Sequence, residues 1–169
     1  GNDPIYMQHA KELGKLLGEH GITLIYGGGN TGLMGAIADA VLDKGGEVIG
    51  VIPEVLTTIE RQHSKISKLH IVDNMHTRKK MMYDLCDAAI ILPGGNGTLD
   101  EMFEMVTWNA LSIHDKKIIL LNTAGYYNNL INHINTMQVA GFLHNDWRDI
   151  LAIYETPDAI FYDWDANKN

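Results

Sequence analysis

At 169 residues and 18.8 kDa the chain fits one domain of ordinary size, and 46% hydrophobic with 20% charged residues is the composition of a folded globular protein, not of a disordered one. Thirteen Lys and Arg against 21 Asp and Glu give a charge of −8, the wrong sign for a long nucleic-acid tract. Apolar runs stop at five residues, Ala88–Leu92 and Ile150–Tyr154, against the roughly 20 that span a bilayer, so neither nucleic acid nor membrane is an expected partner.

In chain order, Ile5 to His20 carries Ile5, Leu13, Leu16 and Leu17 among lysines and glutamates, the spacing of an amphipathic helix stopped by Gly21. Ile22–Tyr26 reads as a short strand. Gly27–Gly29 turn the chain into a second helix, Gly32 to Lys44, closed by Gly45 and Gly46. Glu47–Ile52 is the next strand, and segment 54–68 is polar and gives no clear period. Leu69–Val72 follows as a short strand, Met75–Asp87 as a helix and Ala88–Leu92 as a buried strand. Pro93–Gly97 is a glycine-rich turn, Thr98–Ile113 a helix, Lys117–Leu121 a strand, Tyr126–Ala140 a helix, Leu151–Tyr154 a last strand, and a short helix starts at Pro157. Strands apolar throughout are buried on both faces, and their alternation with helices predicts an α/β fold: a Rossmann-like, doubly wound parallel sheet in a single domain over residues 1–169.

Open parallel sheets bind ligands at their strand-to-helix turns, and two such turns are glycine-rich. Gly27-Gly28-Gly29-Asn30-Thr31-Gly32 satisfies GxGxxG, with Glu54 beyond the next strand where a dinucleotide enzyme keeps its ribose-binding acid. A phosphate held by Gly28 and Gly29 and a purely structural turn explain it equally. Pro93-Gly94-Gly95-Asn96-Gly97-Thr98-Leu99-Asp100-Glu101 is more specific. Its glycines let N–H groups converge on an anion, and the following helix adds about half a positive charge. A capping box with Thr98 as N-cap and Glu101 three residues on accounts for those two residues, but not for Gly94, Gly95 and Gly97. Glu101, Glu104, Thr107 and Trp108 then share one helix face, on which Glu104 reads as solvated.

The densest positive cluster, Met75-His76-Thr77-Arg78-Lys79-Lys80, opens a helix where cations oppose the macrodipole, which favours an anionic ligand there. No metal-ligand spacing occurs among the eight histidines; His114 and His133 read as surface or satisfied core residues. Cys86, the one cysteine, reads as a buried thiol and forbids an intrachain disulfide, which suits a reducing cytoplasm; no export leader opens the chain.

Tyr26-Gly27-Gly28-Gly29 with Gly32-Leu33-Met34-Gly35, Met75-His76-x-Arg78-Lys79, and Pro93-Gly94-Gly95-x-Gly97-Thr98-x-x-Glu101 together resemble the LOG (LONELY GUY) family over nearly the whole chain. The resemblance implies a phosphoribohydrolase: a hydrolase that cleaves the N-glycosidic bond of cytokinin riboside 5′-monophosphates, and often AMP, to free base and ribose 5-phosphate. It implies no cofactor and no metal, a small nucleoside monophosphate as the partner, and a homodimer, for which Met102, Met105 and Trp108 offer packing surface. It puts Arg78 and Glu101 at the catalytic pair and the nucleotide loop on Gly95, Asn96, Gly97, Thr98, Leu99, Asp100 and Glu101, with Lys79 beside it. Glu60 and Thr107 fall on substrate-contacting positions. Asn96 stands where the family commonly has tyrosine and Asp100 where it has glutamate, departures that bear on substrate preference. Family members also open with a strand and a CGSS-like turn, so such residues are expected upstream of Gly1. A non-catalytic nucleotide sensor using the same turns is the alternative, as is the family's older lysine decarboxylase label, which would need a Schiff-base lysine.

Overall fold

The computed structural model describes residues 1–57 and 62–166. Helices α1 (Pro4–Glu19), α2 (Gly32–Asp43), α3 (Met75–Leu85), α4 (Asn96–Ala110), α5 (Asn128–Val139) and α6 (Pro157–Ala166) alternate with strands β1 (Leu24–Tyr26), β2 (Val48–Pro53), β3 (Lys68–Val72), β4 (Ala88–Ile91), β5 (Lys117–Leu121) and β6 (Leu151–Tyr154). Every strand pairing between them is parallel. The strands form two three-stranded sheets, β1-β2-β3 and β4-β5-β6, one in each of two compact units. The first unit is Gly1–Cys86 with the chain from Phe161 onward; the second is Asp87–Ile160.

In the first unit β2 is buried at five of six positions, as expected of a central strand covered on both faces. Ala10, Leu13 and Leu17 of α1 and Ile37, Ala38 and Val41 of α2 are buried with it. Gly14 and Gly18, one turn apart on α1, let the two helices approach to backbone contact: a Cβ at Gly14 would meet the Ile37 carbonyl, and one at Gly18 the Cβ of Lys44. Asp3 caps α1 by accepting from the Ile5 N–H, ahead of Pro4 at the first helical position. The segment after β2, which carries no sequence period, begins with a 3-10 turn, Glu54–Leu56. Its far end is tied down: the His63 N–H donates to the Gly28 carbonyl, Gln62 pairs with Gly29, and the Gln62 amide donates to the Thr57 carbonyl at 3.4 Å.

In the second unit one apolar cluster joins Ile91, Ile118, Leu120 and Leu151 of the sheet to Met102 of α4, Ile134 of α5, Tyr127 and Trp147. Met102 is fully buried there and Met105 packs against it, so neither is exposed packing surface; the large apolar side chains exposed on α4 and in the three residues after it are Phe103, Leu111 and Ile113. Cys86 is half-buried, with its thiol 3.5 Å from the Tyr83 carbonyl. No helix of the described residues is long and apolar enough to cross a membrane.

One buried atom is at odds with its surroundings. The Tyr26 hydroxyl, at the end of β1, has no hydrogen-bond partner among the described residues, and burial first, then the Asp39 charge, push its pKa far up. An unmet buried hydroxyl costs about 1–3 kcal/mol. Tyr26→Phe is therefore expected to raise stability by about 1 kcal/mol, or about 2–4 °C in Tm, read by thermal unfolding. A lowered Tm would show that the hydroxyl is bonded after all.

Candidate active site

In the first unit, Arg78 sits one turn into α3 and is the residue of that helix that is buried, with 9% exposure. Asn74 caps the helix by accepting from the Thr77 N–H at 2.9 Å, which sets the register that points Arg78 inward. Its Nε donates to the Val51 carbonyl of β2 at 3.1 Å, and Nη1 lies 4.0 Å from the Met75 sulfur. Nη2 lies over Gly27, where any Cβ would overlap it. A side chain at Gly27 would therefore displace the guanidinium that covers it. Gly28 is required by its own backbone (φ +80°) and by Leu69, 3.1 Å from where its Cβ would stand. The structural reading of the first turn accounts for Gly28 in full, and Gly29 pairs with Gln62.

His63 fixes this turn from below. Buried to 3% exposure, its Nε2 lies 3.0 Å from an Asp39 carboxylate oxygen, while Nδ1 accepts from the Lys65 N–H at 3.3 Å, so Nε2 carries the proton that Asp39 receives. Lys79 is half-buried, and Lys80 is exposed and paired with Asp84. Glu54 is exposed on its 3-10 turn. Glu60 lies outside the described residues.

In the second unit the glycine turn leads into α4 earlier than the capping-box signature implies. The helix starts at Asn96 with Gly95 as N-cap, and the Leu99 N–H closes the first turn on the Gly95 carbonyl at 3.1 Å. Thr98 is therefore the third helical residue and Glu101 the sixth, in the second turn and half-buried. Thr98 is no N-cap and Glu101 does not stand where a capping box needs it. The Thr98 side chain folds over Gly94 instead, filling the space where a Cβ at that position would stand.

Gly95 and Gly97 are different. Both are exposed, neither has a positive φ, and a Cβ on either would meet no atom of the described residues within 4 Å. Neither backbone conformation nor packing calls for glycine there. Gly97 is in fact unfavourable within a helix, by up to about 1 kcal/mol relative to alanine. What the two glycines leave is unobstructed access to the first-turn N–H groups of Asn96, Gly97 and Thr98, which have no partner within the helix. Backbone donors at a helix N-terminus, clear of side chains, suit a phosphate. Asn96 and Asp100 are exposed beside them, and Leu99 packs against the unit's core, seating the helix. Of the remaining candidates on α4, Thr107 is exposed and Glu104 and Trp108 are half-buried, so Glu104 is less solvated than its position in the sequence implies.

Two residues that periodicity assigns to the α5 helix belong to this turn instead. The Tyr127 hydroxyl donates to the Leu92 carbonyl at 2.7 Å and the Tyr126 hydroxyl to the Gly94 carbonyl at 2.8 Å. Burial, chiefly, pushes the Tyr127 pKa up to about 12, so it remains a donor at any physiological pH. Asn122 orients the pair: its side-chain oxygen accepts from the Tyr127 N–H at 2.7 Å and its amide donates to Asn128. His114 is satisfied structurally, accepting from the Lys116 N–H and donating to the Met105 carbonyl, and His133 is exposed. No group of three or more metal-binding side chains occurs among the described residues.

A family model described as possible lysine decarboxylase matches residues 34–163. A cytokinin riboside 5′-monophosphate phosphoribohydrolase of Rhodococcoides fascians is 45% identical over 144 residues, 85% of this chain and 73% of that one. One from Arabidopsis thaliana is 45% identical over 152 residues, 90% of this chain and 71% of that one. Among solved structures, a molybdenum cofactor binding protein of Rippkaea orientalis matches 99% of this chain and 90% of its own with a TM-score of 0.74, and a molybdenum cofactor carrier protein of Chlamydomonas reinhardtii matches 97% and 88% with a TM-score of 0.71. At 19% and 18% identity these two share the fold alone.

Gly97→Ala should stabilise the protein by a few tenths to about 1 kcal/mol through helix propensity, yet weaken ligand-dependent turnover by at least about tenfold, since one methyl then stands over the converging donors. Denaturant unfolding and steady-state kinetics on the same sample check both halves. A stabilised and fully active variant would remove the ligand from this turn.

Proposed function

Because the chain belongs to the LOG family, the family carried under the possible lysine decarboxylase description, we propose that it hydrolyses the N-glycosidic bond of nucleoside 5′-monophosphates, releasing free base and ribose 5-phosphate. The observation that carries this reading onto the chain's own residues is the pair of glycines, Gly95 and Gly97, that nothing among the described residues explains. They fit a phosphate on the N-terminus of α4.

The chemistry assigns the other roles. The C1′–N bond breaks, the bonding pair leaves with the base, which departs protonated, and a hydroxyl from water ends on C1′. The ribose passes through an oxocarbenium-like state that a nearby carboxylate stabilises, whether it activates the water or first bonds to C1′ as a nucleophile that water then displaces. Glu101 is that carboxylate, at the sixth position of α4 rather than the third, where a capping box would need it. Arg78, a buried guanidinium with a fixed backbone anchor, is the catalytic cation that counters negative charge. Lys79, Glu60 and Thr107 complete the proposed substrate contacts, and the exposed Asn96 and Asp100 are placed to set the preferred base. We assign the protein to the cytoplasm and to at least a homodimer. A decarboxylase would need a lysine free to form a Schiff base, and Lys80 is held by Asp84 beneath the Tyr83 ring instead.

Adenine release from AMP tests the reading directly. With several backbone donors at the N-terminus of α4 addressed to the phosphate, AMP is expected to exceed adenosine in kcat/KM by at least about a hundredfold. Equal rates would remove the phosphate from the site, and cadaverine formed from lysine would restore the older label.

Glu101→Gln isolates the carboxylate. The amide keeps the shape of the side chain, so Tm should hold within a few degrees, while turnover of AMP should fall at least about a thousandfold because an amide neither takes a proton nor balances the cationic sugar. AMP binding measured by calorimetry should persist. Near-normal turnover would move the chemistry to another residue.

A further inference from the structure

We propose that Tyr126 is a positioning residue that aims the Gly95 N–H at the substrate phosphate by holding the opposite side of the same peptide plane. The inference rests on the phosphate reading of this turn. The Gly94–Gly95 peptide is trans, so its carbonyl and its N–H point in opposite directions from one rigid plane. Tyr126 donates to that carbonyl at 2.8 Å, fixing the direction of the N–H on the far side. Two consecutive glycines flank the plane, and without a tether it would rotate at little cost, leaving the donor to be ordered when the ligand arrives. With the tether that ordering is already done.

The tether is itself well supported. Tyr127, next in the chain, holds the Leu92 carbonyl at the end of β4, and its ring packs edge-on to that of Tyr126, at 82° with centroids 4.8 Å apart. Asn122 and the left-handed Ala124 (φ 52°) shape the short turn that brings both rings to the glycines. The two hydroxyls differ in what they control. Leu92 precedes Pro93, whose nitrogen carries no hydrogen, so the peptide plane whose carbonyl Tyr127 holds has no N–H to aim. Tyr126 remains 44% exposed, which makes the core an inadequate reason for its place.

Tyr126→Phe keeps the ring and removes the hydroxyl. The KM for AMP and the Kd for ribose 5-phosphate should rise about three- to tenfold, while kcat/KM for adenosine, which has no phosphate, stays within about twofold and Tm shifts by less than about 2 °C. Equal losses on AMP and adenosine would make Tyr126 a general structural residue, and an unchanged KM would remove the tether from function; either outcome overturns the proposal. A wild-type enzyme that does not distinguish AMP from adenosine overturns the phosphate reading itself and the tether with it. A wild type that prefers AMP, with Tyr126→Phe unaltered, overturns the tether alone.

Discussion

Parallel strand pairing is the constraint on which the candidate site depends. Two neighbouring parallel strands must be joined by a crossover, so both end at the same edge of their sheet, and the turns that follow them gather there. In the second unit β4 and β5 are paired from Ala88↔Lys117 to Ile91↔Leu120, which brings the Pro93–Gly97 turn and the Asn122–Tyr127 turn to one edge. That is why a tyrosine more than 30 residues away in the chain reaches the Gly94 carbonyl. The first unit repeats the arrangement: β1, β2 and β3 end together, and the helix after β3 delivers Arg78 to the Val51 carbonyl and the glycines after β1.

Helix α3 shows what this edge demands of a sequence. Its buried residue is a charged one, so it is seated by an arginine where most surface helices are seated by an apolar stripe. A buried charge is expensive unless it is bonded, and here a backbone carbonyl and a glycine face receive the guanidinium. Such an arrangement is hard to justify by stability alone, because an apolar side chain of similar volume commonly serves a core better.

Much of this was legible in the residues, for physical reasons. β5 lies where it is expected because its four apolar residues, Ile118–Leu121, are all buried, as the central strand of its sheet requires. The helix ends at Asp43 and Glu19 follow from the glycines beyond them. The start of α4 was hidden by a stronger local signature. Thr98 and Glu101 have capping-box spacing, but the preceding glycine closes the first turn through backbone bonds alone, and so the helix begins two residues earlier. The tyrosine turn was hidden by periodicity, since Tyr126 and Tyr127 continue the apolar pattern of α5 while the backbone there runs through a short 3-10 turn with a left-handed alanine. The role of His63 leaves no mark at all in the chain order, because its partners Asp39 and Gly28 lie 24 and 35 residues upstream.

The anchoring of Gln62 and His63 has a consequence for how such a protein diversifies. Gln62 pairs with Gly29 and the His63 N–H donates to the Gly28 carbonyl, so a short stretch of chain and a turn more than 30 residues upstream are fastened to each other through backbone groups. Backbone bonds are indifferent to side-chain identity, so exchanges at Gln62 that keep the extended backbone leave the fastening in place. His63 is different, because its ring also ties Asp39 of α2 to the same point, and a change there must be answered at Asp39 as well.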